Sequence, residues 1–533
     1  MDISTWIAYW AGWTPEKTAL RFEGRSIGYR QLEEAIARTA ATLRDRGVTP
    51  GDRVAYLGSN CPELLEVFFA CARIGAIFVP LNARMPPAEL RVFLGLSGPR
   101  LLVAEEHLAE TAAACAAHLS SEAIELFFVG RGDLVARATR SPIPANPEAD
   151  PAAPILIVFT SGTTGTPKGA VHTNAGVASN ALDAIAGLGI TAADEILMAL
   201  PMFHIAGTGV LTLPALRSGA TVTVHRHFDP SAALHDIQRY KITLFMATPP
   251  MTKSMTAVEE WAAADLASLR AQLVGGTIVT EEAIDPWRER GVPVVQGYGM
   301  TEAGPAATLV PLHDVPRKSL TAGKPTLHTR LRIIDRFGHD VPAGRSGEVV
   351  IRGPSVTTGY WQNPEATREA IPDGWLRTGD LGFLDDEGYL HLIGRIKDII
   401  IVGVSNVYPA DLEAVLASSP SVADAAAIGV TDDELGEVPV AFVVRAPGAS
   451  LDEEEALGLF AGRLAAYKHP RRVFFLEAMP RTGIGKVEKR ALRALAQDLL
   501  FCEKSAQGQG FHSRGTCSSG DRGLSPAMPL RLR

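Results

Sequence analysis

A run of apolar residues, Ile155-Leu-Ile-Val-Phe159, empties into Thr160, Ser161, Gly162, Thr163, Thr164, Gly165, Thr166, Pro167, Lys168 and Gly169. Hydroxyls, glycines and one lysine in that order suit a polyphosphate. The apolar run reads as a buried strand, the glycines let backbone N–H groups turn toward an anion, and Lys168 adds a point charge. A Walker loop would need Gly, Lys and Ser or Thr at positions 167 to 169, but Pro167, Lys168 and Gly169 stand there. The hydroxyl that would hold Mg2+ is therefore missing, and the metal must be held elsewhere. Taken alone, such a loop has a competing reading as a solvated turn after a strand.

The loop is not alone. Four further groups follow it in order: Gln296-Gly297-Tyr298-Gly299-Met300-Thr301-Glu302, Trp375-Leu-Arg-Thr-Gly-Asp380, Gly394-Arg395-Ile-Lys397-Asp398 and Pro480-Arg-Thr-Gly-Ile-Gly-Lys486. Together the five resemble the motif series of the adenylate-forming superfamily, which includes acyl- and aryl-CoA ligases, peptide-synthetase adenylation domains and beetle luciferases. The resemblance runs from about Trp13 to about Leu495.

The resemblance implies ATP and Mg2+ as cofactors and a small carboxylic acid as substrate, activated as an acyl-AMP and passed to CoA. It assigns Thr160, Ser161, Thr163, Thr164 and Lys168, with the backbone of Gly162 and Gly165, to the β and γ phosphates. Thr301 becomes the α-phosphate ligand, and Glu302 the Mg2+ ligand, a hard oxygen donor for a hard cation. Gly275, Gly276, Thr277 and Tyr298 form the adenine slot, with Gly297, Gly299 and Met300 part of the same nucleotide site. Asp380 accepts the ribose hydroxyls, and Arg395 is a second ribose or phosphate ligand. Lys486 bridges the carboxylate and α-phosphate in the first half-reaction and is withdrawn by domain rotation for the second. His204 falls where the family places an aromatic or histidine gate near the acyl carbonyl.

The acid pocket is expected near Ile205, Thr208, Met246 to Met251, Gly275 to Thr277 and Met300 to Gly304. These residues are mostly apolar and include no Lys or Arg, which disfavours a dicarboxylate and favours a fatty or aryl acid. CoA ligases of the family carry Gly-Gly-x-Asn-x-Tyr-Pro after the hinge, and here the line is Gly403-Val404-Ser-Asn-Val-Tyr-Pro409. Val404 replaces the second glycine beside the expected pantetheine tunnel. An amine acceptor, giving an amide, therefore stands as the alternative to CoA.

Composition bounds the rest. With 533 residues, 46% hydrophobic and 21% charged, the chain is too long for one ordinary domain. Its net charge of −8 argues against a nucleic-acid partner. No run approaches the roughly 18 apolar residues of a membrane-spanning helix, and the first residues lack the basic region of a signal peptide. A soluble, cytoplasmic enzyme is expected, with a homodimer left open. Cys61, Cys71, Cys115, Cys502 and Cys517 show neither CxxC nor zinc spacing.

These motifs must be carried by an α/β fold. Helical spacing over Tyr29 to Arg46 and Pro62 to Ile74 alternates with strand-like runs at Arg53 to Leu57, Ala220 to Val224, Leu244 to Thr248 and Val292 to Gln296, as in layered parallel sheets. After Gly323 short β-rich runs suggest a barrel-like subdomain. The expected organisation is a large adenylation domain over 1–396, holding the ATP and acid site, and a small mobile α+β domain over 397–504. Lys397 would be its hinge, Pro409 would start a helix, Val438 to Val444 would form a strand, and Leu451 would open a helical stretch. The Gly/Ser/Arg/Pro-rich residues 505–533 are expected to be disordered.

Overall fold

The computed structural model describes residues 2–117, 124–129, 141–146, 148–160, 167–276, 279–403, 405–432, 434–482 and 485–508, the last eight by backbone alone. The chain forms two compact units, one of residues 1–378 with 383–391 and one of 379–382 with 392 onward.

The first unit is built on two large sheets. Six strands run in the order Glu125–Val129, Leu101–Glu105, Arg53–Gly58, Ile77–Asn82, Pro154–Thr160, Lys168–Thr173. Neighbours are parallel except the last pair, which is an antiparallel hairpin. Both faces are covered, so the strands read as continuous apolar runs: Val54, Tyr56 and Phe78 enter one core, and Ala55, Leu57, Val79 and Leu81 another.

The second sheet has nine strands in the order Lys324–Pro325, Gly304–Leu309, Val294–Met300, Ala271–Val274, Leu244–Ala247, Glu195–Met198, Thr221–Val224, Thr18–Phe22, Arg25–Gly28. Its middle six strands are parallel, and antiparallel strands close both edges. One core joins the two sheets through helices such as Pro62–Ile74. Every residue of that helix is buried, which is why its sequence is apolar around most of its circumference. Pro62 starts it, and Gly75, at φ 74°, ends it in the left-handed conformation.

Where a barrel-like piece was expected, four strands form a small sheet in the order Arg330–Ile334, Gly347–Arg352, Leu376–Leu384, Leu390–Arg395.

The second unit is α+β. Its sheet runs Ser405–Val407, Ile400–Val402, Gly436–Arg445, Val422–Asp432, with Arg472–Leu476 parallel to Gly436–Arg445. Alternation along Val422–Asp432 sends Ala427 toward the core of helix Pro409–Ala417, and Ala426, Ile428 and Val430 toward the core shared with Leu492 and Ala496. The stretch from Leu451 yields only a six-residue helix, Glu453–Gly458. Gly462, at φ 71°, lies soon after its end and does not continue it. The helix Lys489–Gly508 runs past Ser505, where the tail was expected to begin. Residues 509–533 lie outside the described ones.

Among the described residues no helix is long and apolar enough to cross a membrane. Cys61, Cys71 and Cys115 are buried free thiols. Burial pushes the Cys71 thiol up, away from reactivity.

Candidate active site

The hairpin places Thr160 opposite Lys168, at the two ends of the loop expected to take phosphates. The Thr160 hydroxyl lies 3.3 Å from the Lys168 carbonyl and 3.4 Å from Glu302 Oε1, both acceptors. Gly169 is required by packing: a Cβ there would stand 2.8 Å from Ile157 Cγ2 and 3.2 Å from Phe159 Cε1. The Ser or Thr of a Walker loop would not fit.

Residues 357–361 run beside this hairpin. The Thr358 N–H donates to the Val171 carbonyl at 3.1 Å, and the Trp361 N–H to Gly169 at 2.7 Å. They deliver Tyr360, whose ring centroid is 5.2 Å from Lys168 Nζ and whose hydroxyl donates to Glu302 Oε1 at 3.0 Å. Burial, and then the Glu302 charge, push the Tyr360 phenol up, so it stays a protonated donor. Sequence reading missed Tyr360. It lies in none of the five motifs, and a tyrosine after a glycine carries no signal of its own.

Thr301 and Glu302 form a single turn with Ala303 between the antiparallel strands Val294–Met300 and Gly304–Leu309. Both side chains belong to buried residues, 6% and 7% exposed. The turn is pinned from outside: the Thr357 N–H donates to the Glu302 carbonyl at 2.8 Å, and Ser355 Oγ to the Ala303 carbonyl at 3.2 Å. Among the described residues the Glu302 carboxylate meets the hydroxyls of Tyr360 and Thr160 and no ion-pair partner. A buried carboxylate oriented by hydroxyls, without a cation beside it, fits a hard divalent ion.

Strands Leu244–Ala247, Ala271–Val274 and Val294–Met300 lie side by side and parallel, with Ala247 level with Val274 and Val274 with Gln296. Met246 to Met251, Gly275, Gly276 and Gly297 to Met300 therefore gather at one carboxyl edge, where open α/β sheets take ligands. Gly299 permits a close approach, since a Cβ would lie 2.2 Å from the Pro305 carbonyl oxygen. Tyr298 packs in a core with Ala303, Ala307, Ile333 and Leu376. His204 is half-buried in the turn before Gly207, its Nδ1 accepting from the Ala206 N–H at 3.2 Å. Ile205 beside it is buried, and Thr208 lies on the wide helical turn Gly207–Thr212.

In the second unit Arg395 Nε pairs with Asp380 Oδ1 at 2.9 Å. Lys397 is in the turn that follows, its ammonium pulled down by burial and supported by Asp398. Asp398 in turn accepts from Arg493 at 2.9 Å. Lys486 is half-buried on a hairpin closed by the Arg481–Val487 bridge, its carbonyl accepting from the Thr482 N–H at 2.7 Å. The structure thus joins Thr160, Lys168 and Glu302 through direct contacts, sets Thr301 in the same turn, and pairs Asp380 with Arg395. Ser161, Gly162, Thr163, Thr164, Gly165, Thr277 and Val404 lie outside the described residues.

A glycine-rich hairpin whose threonine meets a hydroxyl-held carboxylate, at the carboxyl edge of a parallel sheet, suits a nucleotide-dependent acid-activating enzyme. The chain belongs to the AMP-binding enzyme family: residues 7–361 match the model of the AMP-binding enzyme and residues 411–486 that of its C-terminal domain. It is 42% identical to the indoleacetate–CoA ligase of Aromatoleum aromaticum over 95% of this chain and 100% of that protein. It is 40% identical to the feruloyl-CoA synthase of an Amycolatopsis species, over 92% of this chain and 98% of that one. Among solved structures it resembles the o-succinylbenzoate CoA synthetase of Bacillus subtilis in complex with ATP and magnesium ion. That match has a TM-score of 0.82 at 32% identity, covering 93% and 99% of the two chains.

Proposed function

We propose that this AMP-forming acid–thiol ligase activates an aryl-substituted carboxylic acid, of the arylacetic or arylacrylic kind. The acid displaces pyrophosphate from ATP to give an acyl-AMP, and the CoA thiol then displaces AMP to give the thioester. One observation carries the choice of acid: the three parallel strands run out at Met246 and Ala247, at Val274 before Gly275 and Gly276, and at Met300, and none of these described residues is a Lys or Arg. Such an edge accepts a flat apolar body and gives no counter-ion to a second carboxylate. The indoleacetate and feruloyl relatives support the same class.

In this reading Lys168 and the loop from Thr160 take the β and γ phosphates, and Thr301 takes the α phosphate. Glu302 would hold Mg2+, which when bound neutralises charge on the phosphates. Asp380 and Arg395 serve the ribose. His204 borders the acyl carbonyl. Lys486 neutralises the repulsion between carboxylate and α-phosphate, and rotation about Lys397 withdraws it before thioester formation. The relatives' names favour CoA over the amine alternative. A cytosolic setting and a homodimer belong to the same proposal, and cell fractionation and sedimentation test them.

The deciding experiment is pyrophosphate release over arylacetic, cinnamic, C4 to C16 and dicarboxylic acids, each with and without CoA, with product mass determined. Aryl acids should turn over best and give thioesters. A dicarboxylate or a straight-chain acid as the best substrate, or amide formation from amine without CoA, would overturn the reading.

A further inference from the structure

Asn60 lies in the turn between strand Arg53–Gly58 of the six-stranded sheet and helix Pro62–Ile74. It is 4% exposed. Its amide bonds to chain that follows two strands of the other sheet: Nδ2 donates to the Leu200 carbonyl at 2.8 Å and to the His225 carbonyl at 3.0 Å, and Oδ1 accepts from the Met202 N–H at 2.7 Å. Leu200 and Met202 follow strand Glu195–Met198, and His225 follows its parallel neighbour Thr221–Val224. These bonds fix which way the amide points, because turned over it would set its oxygen against two carbonyls and its NH2 against an N–H. An apolar residue of the same volume would take a partner from each of three buried backbone groups. The turn is itself anchored. The Ser59 N–H donates to Glu105 Oε1 at 2.7 Å, and a Cβ on Gly58 would stand 2.7 Å from Tyr56 Cε1.

What Asn60 holds is the segment that bears His204. Met202 and Ile205 are buried on either side of that residue's turn. The His204 N–H donates to the Pro201 carbonyl at 3.2 Å, and the Gly207 N–H to the His204 carbonyl at 3.0 Å. A Cβ on Gly207 would stand 2.3 Å from the Pro201 oxygen, so the turn has no slack. Pro201, on which it closes, lies between the two residues of this segment that Asn60 grips.

We propose that Asn60 is a positioning residue for the carboxylic acid. By clamping Leu200 and Met202 to the edge of the six-stranded sheet, it sets where the His204 ring stands. This rests on the reading of His204 as the residue that borders the acyl carbonyl.

The test is a double-mutant cycle on Asn60→Ala and His204→Ala, read in pyrophosphate release with an arylacetic acid. Asn60→Ala should raise KM for the acid about tenfold, the worth of one buried hydrogen bond, and leave KM for ATP within about twofold. In the His204→Ala background the same change should cost less than about twofold, since the ring it positions is gone. Asn60→Asp keeps the volume and the acceptor for Met202 but loses the donor, and should behave as Asn60→Ala does. In wild-type enzyme with labelled asparagine side chains, the Asn60 amide resonances should shift with the acid and not with ATP alone; this decides the matter should the variants fail to fold. A lower melting temperature with KM for the acid unchanged, KM for acid and ATP rising together, an undiminished effect in the His204→Ala background, or an amide resonance indifferent to the acid would overturn the proposal. If His204→Ala alone leaves kcat and KM for the acid unchanged, the reading of His204 fails instead, and the split between acid and ATP in Asn60→Ala still decides whether Asn60 orders the acid's edge. If the wild type releases no pyrophosphate with any acid, the functional reading fails as a whole, and the response of the Asn60 amide to the acid still decides.

Discussion

Replacing Tyr360 by Phe removes one hydroxyl and keeps the ring beside Lys168. What is lost is a charge-assisted hydrogen bond of 3.0 Å to a buried carboxylate. Bonds of that kind are worth about 1.5–3 kcal/mol. Thr160 Oγ1, 3.4 Å from the same oxygen, remains to share the charge and argues for the lower end. About 1.4 kcal/mol is a factor of ten. Without the hydroxyl the Glu302 side chain is no longer held in one rotamer, and that ordering is charged to cation binding. Half-saturating Mg2+ and ATP in pyrophosphate release should therefore rise about tenfold at saturating acid. Tyr360→Leu also removes the ring 5.2 Å from Lys168. A cation–π contact of about 0.5–1 kcal/mol adds a further two- to fivefold loss in ATP affinity. Wild-type Mg2+ dependence in Tyr360→Phe would refute the reasoning, since Glu302 would then need no orienting donor.

Lys486→Ala should cut acyl-AMP formation by several orders of magnitude while leaving conversion of supplied acyl-AMP with CoA measurable; equal loss in both steps would remove the role given to that lysine. Lys397→Pro fixes φ and should spare adenylation while blocking thioester formation, read as acyl-AMP accumulating without product. Glu66 is buried, and burial, reinforced by Glu63, pushes its carboxyl up to about 8. Its folded pKa lies above the unfolded one, so its contribution is fully present below about pH 4.5 and is lost as pH rises through about 8. Glu66→Gln should raise the melting temperature above neutral pH, by an amount corresponding to a few kcal/mol at most, and flatten its pH dependence between 5 and 8. A variant less stable than wild type at pH 8 would contradict this.

The parallel sheets were legible because both of their faces are buried, which writes strands such as Arg53–Gly58 and Leu244–Ala247 as apolar runs between helices. Helix Pro62–Ile74 carried its own start and stop signals. The site was legible to the extent that glycines and charged residues stand together in sequence, as around Lys168 and Glu302. Tyr360 escaped because its meaning lies in a contact made across the fold. Tyr360 is 58 residues from the carboxylate it orients, and nothing local distinguishes it from a core tyrosine. The strand boundary at Val292 was misplaced because Val292 and Pro293 are as apolar as the strand they precede, while the strand continues through the glycines to Met300.

The missing Walker hydroxyl is accounted for by packing. Gly169 leaves no room for a side chain, because Ile157 and Phe159 of the partner strand fill the space above it. The position after Lys168 therefore has no side chain to offer a bound phosphate or its cation. The carboxylate comes instead from the turn after Val294–Met300, a strand of the other sheet, and is brought within reach of Thr160 and Tyr360. Under the proposed role of Glu302, cation binding would therefore depend on how the two sheets are held together. The intervening segment 353–361 makes that connection, through Thr357 on the Val171 and Glu302 carbonyls and Tyr360 on the Glu302 carboxylate, far from any motif.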